Sequence, residues 1–179
     1  DRRRPRGPPA RRPPPAARDR LRAHPRFRGA HAGPGHPTIA VFIGGDSARY
    51  EVSAAFADSL IQQVLAACDG VGGSCLVTTS RRTSPSVERV LAERLGRSPR
   101  CQLLLLASRD QLDGTMEGLM GAADVAVVTG ESISMVSEVC ASGRRVVVVE
   151  PAPRGRAAAA LTKHQRFLRL LAQAGCARM

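Results

Sequence analysis

From residue 38 onward, apolar positions alternate between short continuous runs and longer stretches with helical spacing. The continuous runs read as buried strands: Thr38–Ile43 (TIAVFI), Cys75–Thr78, Cys101–Ala107 (CQLLLLA), Val125–Val128 and Val146–Val149. Each is uncharged, and four to eight apolar residues suit a strand covered on both faces. Between them, Glu51–Cys68 carries Val52, Phe56, Leu60, Ile61, Val64 and Leu65 at the spacing of one helix face. A second helix is expected from Ser84, with Pro85 as its first residue and Val87, Val90, Leu91 and Leu95 on its apolar side. Met116–Gly121 predicts a short helix, the residues after Ser132 a further one that closes on Gly143, and Ala157–Ala174 a final one.

This alternation predicts an α/β fold: a Rossmann-like parallel sheet with helices on both faces. Right-handed crossovers place all strand-to-helix loops at one sheet edge, where ligands of such folds bind. Three loops are expected there: Gly44–Ser47, Thr79–Thr83 and Thr129–Ser134.

The stretch Ala123–Gly143 (ADVAVVTGESISMVSEVCASG) joins one of these loops to a strand and a helix. Thr129, Ser132 and Ser134 line a helix start, where unsatisfied N–H groups and the helix dipole favour an anion. Glu138 follows Ser134 by four residues and shares its helix face. Hydroxyls at the start and a carboxylate one turn along suit a phosphate and sugar hydroxyls; an ordinary capped helix with a solvated Glu has the same sequence. Gly44 and Gly45 let backbone approach a ligand closely, as they would in any tight turn. Ser80, Arg81 and Arg82 set hydroxyl and cations before a helix N-terminus, an arrangement suited to phosphate oxygens; solvated loop arginines are the alternative. There is no GxGxxG or GxxxxGK[ST] fingerprint, no metal-ligand spacing and no Ser-His-Asp order. Asp124 and Glu150 flank strands as candidate general bases, although acids at strand ends usually face solvent, and His164 lies in the last helix, where a lone His most often packs or faces solvent.

Charge divides the chain in two. Residues 1–37 hold eleven Arg, nine of the 13 Pro, and only Asp1 and Asp19 as acids, whereas the rest carries 16 basic and 13 acidic groups. The net charge of +12 is therefore mostly a property of the first segment. That segment is expected to be a disordered basic tail or linker, and 38–179 a single Rossmann-like domain. A basic tail can hold an anionic membrane surface by charge alone. Nucleic acid is disfavoured, because one Tyr, four Phe and no Trp leave few stacking platforms. Cys68, Cys75, Cys101, Cys140 and Cys176 form no CxxC pair, and free thiols point to a reducing, cytoplasmic location with at most peripheral attachment at the inner face of a membrane. No apolar run reaches the ~20 residues that span a bilayer, and the N-terminus has no signal-peptide pattern. The chain begins with Asp, as a piece of a longer protein would.

TTSRRTSP (78–85), the ADVAVVTGESISMVSEVCASG stretch and KHQRFLRLL (163–171) together resemble the elongated-mitochondria (mitochondrial fission ELM-type) family. Bacterial members of that family are described as glycosyltransferases and sometimes as nucleoside-diphosphate-sugar epimerases. More loosely, the same stretch resembles the donor-binding half of the peptidoglycan UDP-N-acetylglucosamine transferase. The resemblance implies a GT-B architecture, of which this chain is the C-terminal, donor-binding domain without its N-terminal acceptor domain. It implies that Gly44 and Gly45 lie near a diphosphate, that Ser132 and Ser134 form the phosphate-side helix start, that Glu138 accepts from ribose hydroxyls, and that Arg81 stabilises the leaving diphosphate. The chain departs from the family in two places: Leu112-Asp113-Gly114-Thr115 replaces an Asn-Pro-Tyr turn, and Glu131 stands where Asp is usual.

The expected function is binding of a nucleotide diphosphate-sugar as substrate, with no cofactor or metal, by half of a glycosyltransferase-like protein. Two alternatives are a non-catalytic interaction module on the same fold, linked to fission or a membrane, and a nucleotide-sugar epimerase.

Overall fold

The computed structural model describes residues 36–110, 113–155 and 162–179. Residues 1–35, and with them nearly all of the Arg/Pro segment, its proposed membrane contact, His24 and His31, lie outside the described residues, as do Leu112 and residues 156–161.

The uncharged runs form five parallel strands: β1 (Thr38–Ile43), β3 (Ser74–Thr79), β4 (Cys101–Leu105), β5 (Val125–Thr129) and β6 (Arg145–Val149). Their order across the sheet is β4-β3-β1-β5-β6, with every neighbouring pair parallel. The chain winds outward from β1 in one direction and then, from β5, in the other. That reversal makes β1 and β5 a topological switch point, the place where loops diverge and leave a crevice.

Side-chain alternation along β1 shows why the sheet needs two helical layers. Val41 and Ile43 face α1 (Ala54–Val71) and α2 (Pro85–Leu95), packing with Leu60, Ile61, Val64, Val87, Leu91 and Leu95. Ala40 and Phe42 face the other layer, built from α3 (Thr115–Ala122), α4 (Ile133–Ala141) and α5 (Lys163–Gln173). There Leu119, Val136, Val139 and Leu168 close the core. Each such side chain contributes about 1.5–3 kcal/mol when fully buried, so both layers are needed to hold the sheet.

Local chemistry sets the ends. Ser53 Oγ accepts the Phe56 N–H at 3.1 Å, and Gly72 at φ 65° ends the same helix, as capping rules require. The helix expected from Glu51 begins three residues later, at Ala54. Tyr50–Glu51 form β2, paired antiparallel with β7 (Ala152–Pro153) in a separate two-stranded ribbon. The strand expected over Cys101–Ala107 stops at Leu105, because the Leu106 N–H is taken by Asp110 Oδ2 at 2.9 Å instead of a neighbouring strand. The last helix was expected from Ala157. It starts at Lys163, where Thr162 is extended and forms a capping box with Gln165, and residues 157–161 lie outside the described ones.

The exposed edge of β6 is covered by the C-terminal segment. Arg178 N–H donates to Val146 O at 2.8 Å and Val148 N–H to Arg178 O at 2.7 Å, which leaves that part of the edge paired. All five cysteines are free thiols, with Cys68, Cys75 and Cys101 buried. Hydrogen bonding to the Cys101 and Cys68 thiols, together with burial, holds the Cys75 thiol far above its ordinary range. Among the described residues no helix is long and apolar enough to cross a membrane.

Candidate functional site

All three candidate loops meet at the carboxyl edge of the sheet, and the first of them is the hinge of the arrangement. Gly44 and Gly45 leave β1 between the loops that follow β3 and β5. On the β5 side, Gly44 N–H donates to Thr129 Oγ1 at 2.8 Å. On the β3 side, Thr83 Oγ1 donates to Gly44 O at 2.7 Å while accepting Ser80 N–H at 2.9 Å. A Cβ on Gly45 would lie 2.0 Å from Arg82 O and 2.6 Å from Thr83 N. Backbone therefore passes backbone where no side chain fits, which is what glycine supplies.

The loop after β3 is a closed turn. Thr83 N–H donates to Ser80 O at 3.0 Å, and Arg82 N–H to Ser80 Oγ at 3.2 Å. These bonds fix the backbone and leave the Arg81 and Arg82 side chains exposed. Neither guanidinium forms an ion pair among the described residues. Behind the turn, buried Glu88 ties two loops together: its carboxylate accepts from Thr79 Oγ1 at 2.8 Å, from Ser108 N–H at 3.3 Å and from the Ser108 hydroxyl.

Beyond β5 lies the start of α4. Ser132 is its N-cap, yet its side chain makes no capping bond; its Oγ lies 3.3 Å from Ser134 Oγ instead. The first-turn N–H groups are thus not satisfied by that hydroxyl. Immediately before it, Glu131 is only 6% exposed, and among the described residues neither carboxylate oxygen has a hydrogen-bond partner. Burial pushes this carboxyl above the usual range, opposed by its own backbone amide, the Thr129 hydroxyl and the charges of Arg82 and His164.

The wall behind this loop comes from the other end of the chain. His164 Nε2 donates to Gly130 O, and its ring lies against Tyr50 with centroids 5.0 Å apart. Gly130 N–H in turn donates to Val149 O at 2.9 Å. Among the described residues no group of three or more His, Cys, Asp or Glu is placed to hold a metal ion. What the edge offers is chemistry suited to an anion: a helix start without a side-chain cap, two exposed guanidinium groups and a tight glycine turn at a switch point.

A family model described as Mitochondrial fission ELM1 matches residues 6–179. This chain belongs to that family. A curated relative, the Mitochondrial fission protein ELM1 of Arabidopsis thaliana, is 33% identical over 117 residues, covering 63% of this chain and 25% of the relative. The chain therefore spans about a quarter of the length of that relative. Among solved structures, the catalytic domain of Starch Synthase IV from Arabidopsis thaliana, bound to ADP and acarbose, is similar with a TM-score of 0.48 and 12% identity, over 74% of this chain and 25% of that one.

In this ELM1-family chain the fold brings together Gly44, Gly45, Ser80, Arg81, Arg82, Ser132 and Ser134. Glu138 is exposed on α4, one turn from Ser134. Thr129 is fully buried, and its hydroxyl holds the Gly44 N–H; it shapes the site from behind instead of facing it. Asp124, considered as a possible base, lies at the opposite end of the sheet, where its Oδ2 accepts Thr38 N–H at 2.9 Å. Sequence reasoning missed three residues here. Thr83 was visible as part of the TTSRRT hydroxyl string. Glu131 was visible only as a departure from the family's Asp. His164 gave no usable signal, because its link to Gly130 crosses 34 positions.

Proposed function

We propose that this chain is the donor-binding domain of a GT-B-type, glycosyltransferase-like protein, and that its ligand is a nucleotide diphosphate-sugar. The observation that carries the reading is the joint of Gly44 and Gly45 with both neighbouring loops at the switch point, beside the open start of α4. A diphosphate seated there would take bonds from first-turn amides and from Ser132 and Ser134, with Arg81 and Arg82 balancing its charge. Glu138, one turn along α4, would accept from the ribose hydroxyls. The Arg81 guanidinium would also stabilise the diphosphate as a leaving group.

Transfer of the sugar belongs, on this reading, to a longer protein in which a second domain holds the acceptor. The chain's own part is binding and orientation of the donor. Calorimetry of the 179-residue chain with uridine, guanosine and adenosine diphosphates and their sugar esters, and with CMP, tests it. Saturable binding weakened by Glu138→Ala is expected; no heat with any of them, and no effect of the substitution, would remove the reading.

A further inference from the structure

Two buried carboxylates sit at this edge, and the fold treats them oppositely. Glu88 accepts from three donors on two loops. Glu131, equally buried, accepts from none among the described residues in hydrogen-bonding geometry. An ionised carboxylate enclosed in this way loses hydration that no well-formed hydrogen bond replaces, and only the polar and charged groups around it offset the loss. Glu131 also lies where the proposed diphosphate would come nearest. A Cβ on Gly44 would be 1.5 Å from Glu131 Oε1, and Glu131 precedes the uncapped N-cap of the nine-residue α4. An anion on those amides would face a second negative charge, unless that charge is removed.

We propose that Glu131 is a neutral carboxylic acid whenever a nucleotide diphosphate-sugar is bound, so that binding takes up a proton and the acid donates a hydrogen bond to a phosphate oxygen. This inference rests on the reading given under Proposed function. The proton comes from solvent, adds to one carboxylate oxygen, and no other bond is made or broken. Protonation converts a buried acceptor without donors into a donor aimed at an anion.

The groups facing Glu131 decide how far this goes. Arg82, from the turn after β3, and His164, from α5, favour the ionised form through their charge, and the Thr129 hydroxyl and the residue's own amide act in the same direction. Glu150, at the end of β6, approaches the adjacent residue: a Cβ on Gly130 would be 3.3 Å from Glu150 Cγ, which adds negative charge on the far side. A bound diphosphate engages Arg82 and adds negative charge of its own, so the groups that favour ionisation lose weight as the site fills. His164 holds the same loop through Gly130 O, so the test separates its contribution from that of Glu131.

Isothermal titration of the 179-residue chain with UDP-glucose, ADP-glucose and GDP-mannose, at pH 7 in PIPES and in Tris, reads proton uptake directly. Both phosphates of these esters are substituted, so the ligand itself does not titrate near neutrality. A net uptake of up to one proton per ligand is expected, with affinity falling by up to tenfold per pH unit as the free acid ionises. Glu131→Gln should bind without uptake and with a flat pH profile, while His164→Gln should keep the uptake. Binding without uptake, or uptake that survives Glu131→Gln and disappears in His164→Gln, overturns the proposal and leaves the binding site standing. Should Glu131→Gln not fold, the wild-type and His164→Gln titrations decide between the two groups. If none of the three esters binds, the donor-site reading falls and this inference falls with it.

Discussion

Gly44 and Glu131 occupy space that cannot be shared: a Cβ added to Gly44 would lie 1.5 Å from Glu131 Oε1 and 2.7 Å from its Cδ. They are 87 residues apart in the chain and follow two strands that neighbour each other in the sheet. Gly45 is constrained differently, because its obstruction is the backbone of Arg82 and Thr83. A carboxylate tip can move aside; a backbone carbonyl held in a turn cannot. Gly45→Ala is therefore expected to destabilise by about 1–3 kcal/mol or more, and Gly44→Ala by less. Combining Gly44→Ala with Glu131→Ala should recover part of the loss, a coupling of about 0.5–3 kcal/mol. Urea unfolding of the two singles and the double checks this, and strict additivity would contradict the contact.

The buried Glu131 carboxyl gives stability a pH dependence of known sign. Its folded pKa is raised, first by burial, so between the ordinary carboxylate value near 4.5 and the raised one the native state holds more proton than the unfolded chain. Stability then falls as pH rises through that window, with a slope of at most about 1.4 kcal/mol per unit for one proton. Glu131→Gln should flatten this slope and match or exceed the wild type at pH 7. Melting temperatures of both proteins from pH 5 to 8 measure it. Parallel curves would show that Glu131 does not titrate in this way.

Glu88 should behave as the opposite case. Its removal leaves the Thr79 hydroxyl and the Ser108 N–H without their acceptor, and each buried unsatisfied group costs about 1–3 kcal/mol. Glu88→Ala is expected to lower the urea midpoint clearly, whereas Glu131→Gln does not. Equal effects of the two substitutions at pH 7 would show that the hydrogen bonds to Glu88 contribute no more than the unpaired Glu131 carboxyl does.

Surface groups at the edge should separate binding from stability. Arg82 and Glu138 are exposed, so alanine at either is expected to change stability by no more than about 0.5 kcal/mol. Loss of a hydrogen bond to a charged ligand group costs about 1.5–3 kcal/mol, or roughly 10–100-fold in affinity for a nucleotide diphosphate-sugar. Titration calorimetry beside thermal melts reads both quantities on the same samples. A large drop in melting temperature with unchanged affinity would assign these residues to the scaffold.

Much of the architecture could be read along the chain because its signals are local. Uncharged Val- and Leu-rich runs such as Val125–Val128 have no stable place except between two covering layers, and the Ser84-Pro85 and Ser53 starts carry their caps with them. The ribbon of Tyr50–Glu51 with Ala152–Pro153 was not legible, because each strand is two residues long and its partner lies a hundred positions away. The end of β4 was misjudged because Leu106 is as apolar as its neighbours. What stops the strand there is a side chain, Asp110, reaching back to an N–H.

The sequence by itself determined the layers, the order of elements and the loops that emerge at one edge, since hydrophobic period and end-capping act within a few residues of one another. It also placed hydroxyls, arginines and glycines on those loops. Only the tertiary structure decided which of them form a site. Thr129 turned inward to hold Gly44, Asp124 fell at the far end of the sheet, and His164 reached Gly130 from the last helix. Glu131 became a buried carboxylate without a hydrogen-bond donor among the described residues. Desolvation depends on everything that packs around a group, and strands adjacent in the sheet are distant in the chain, so no local pattern could have marked it.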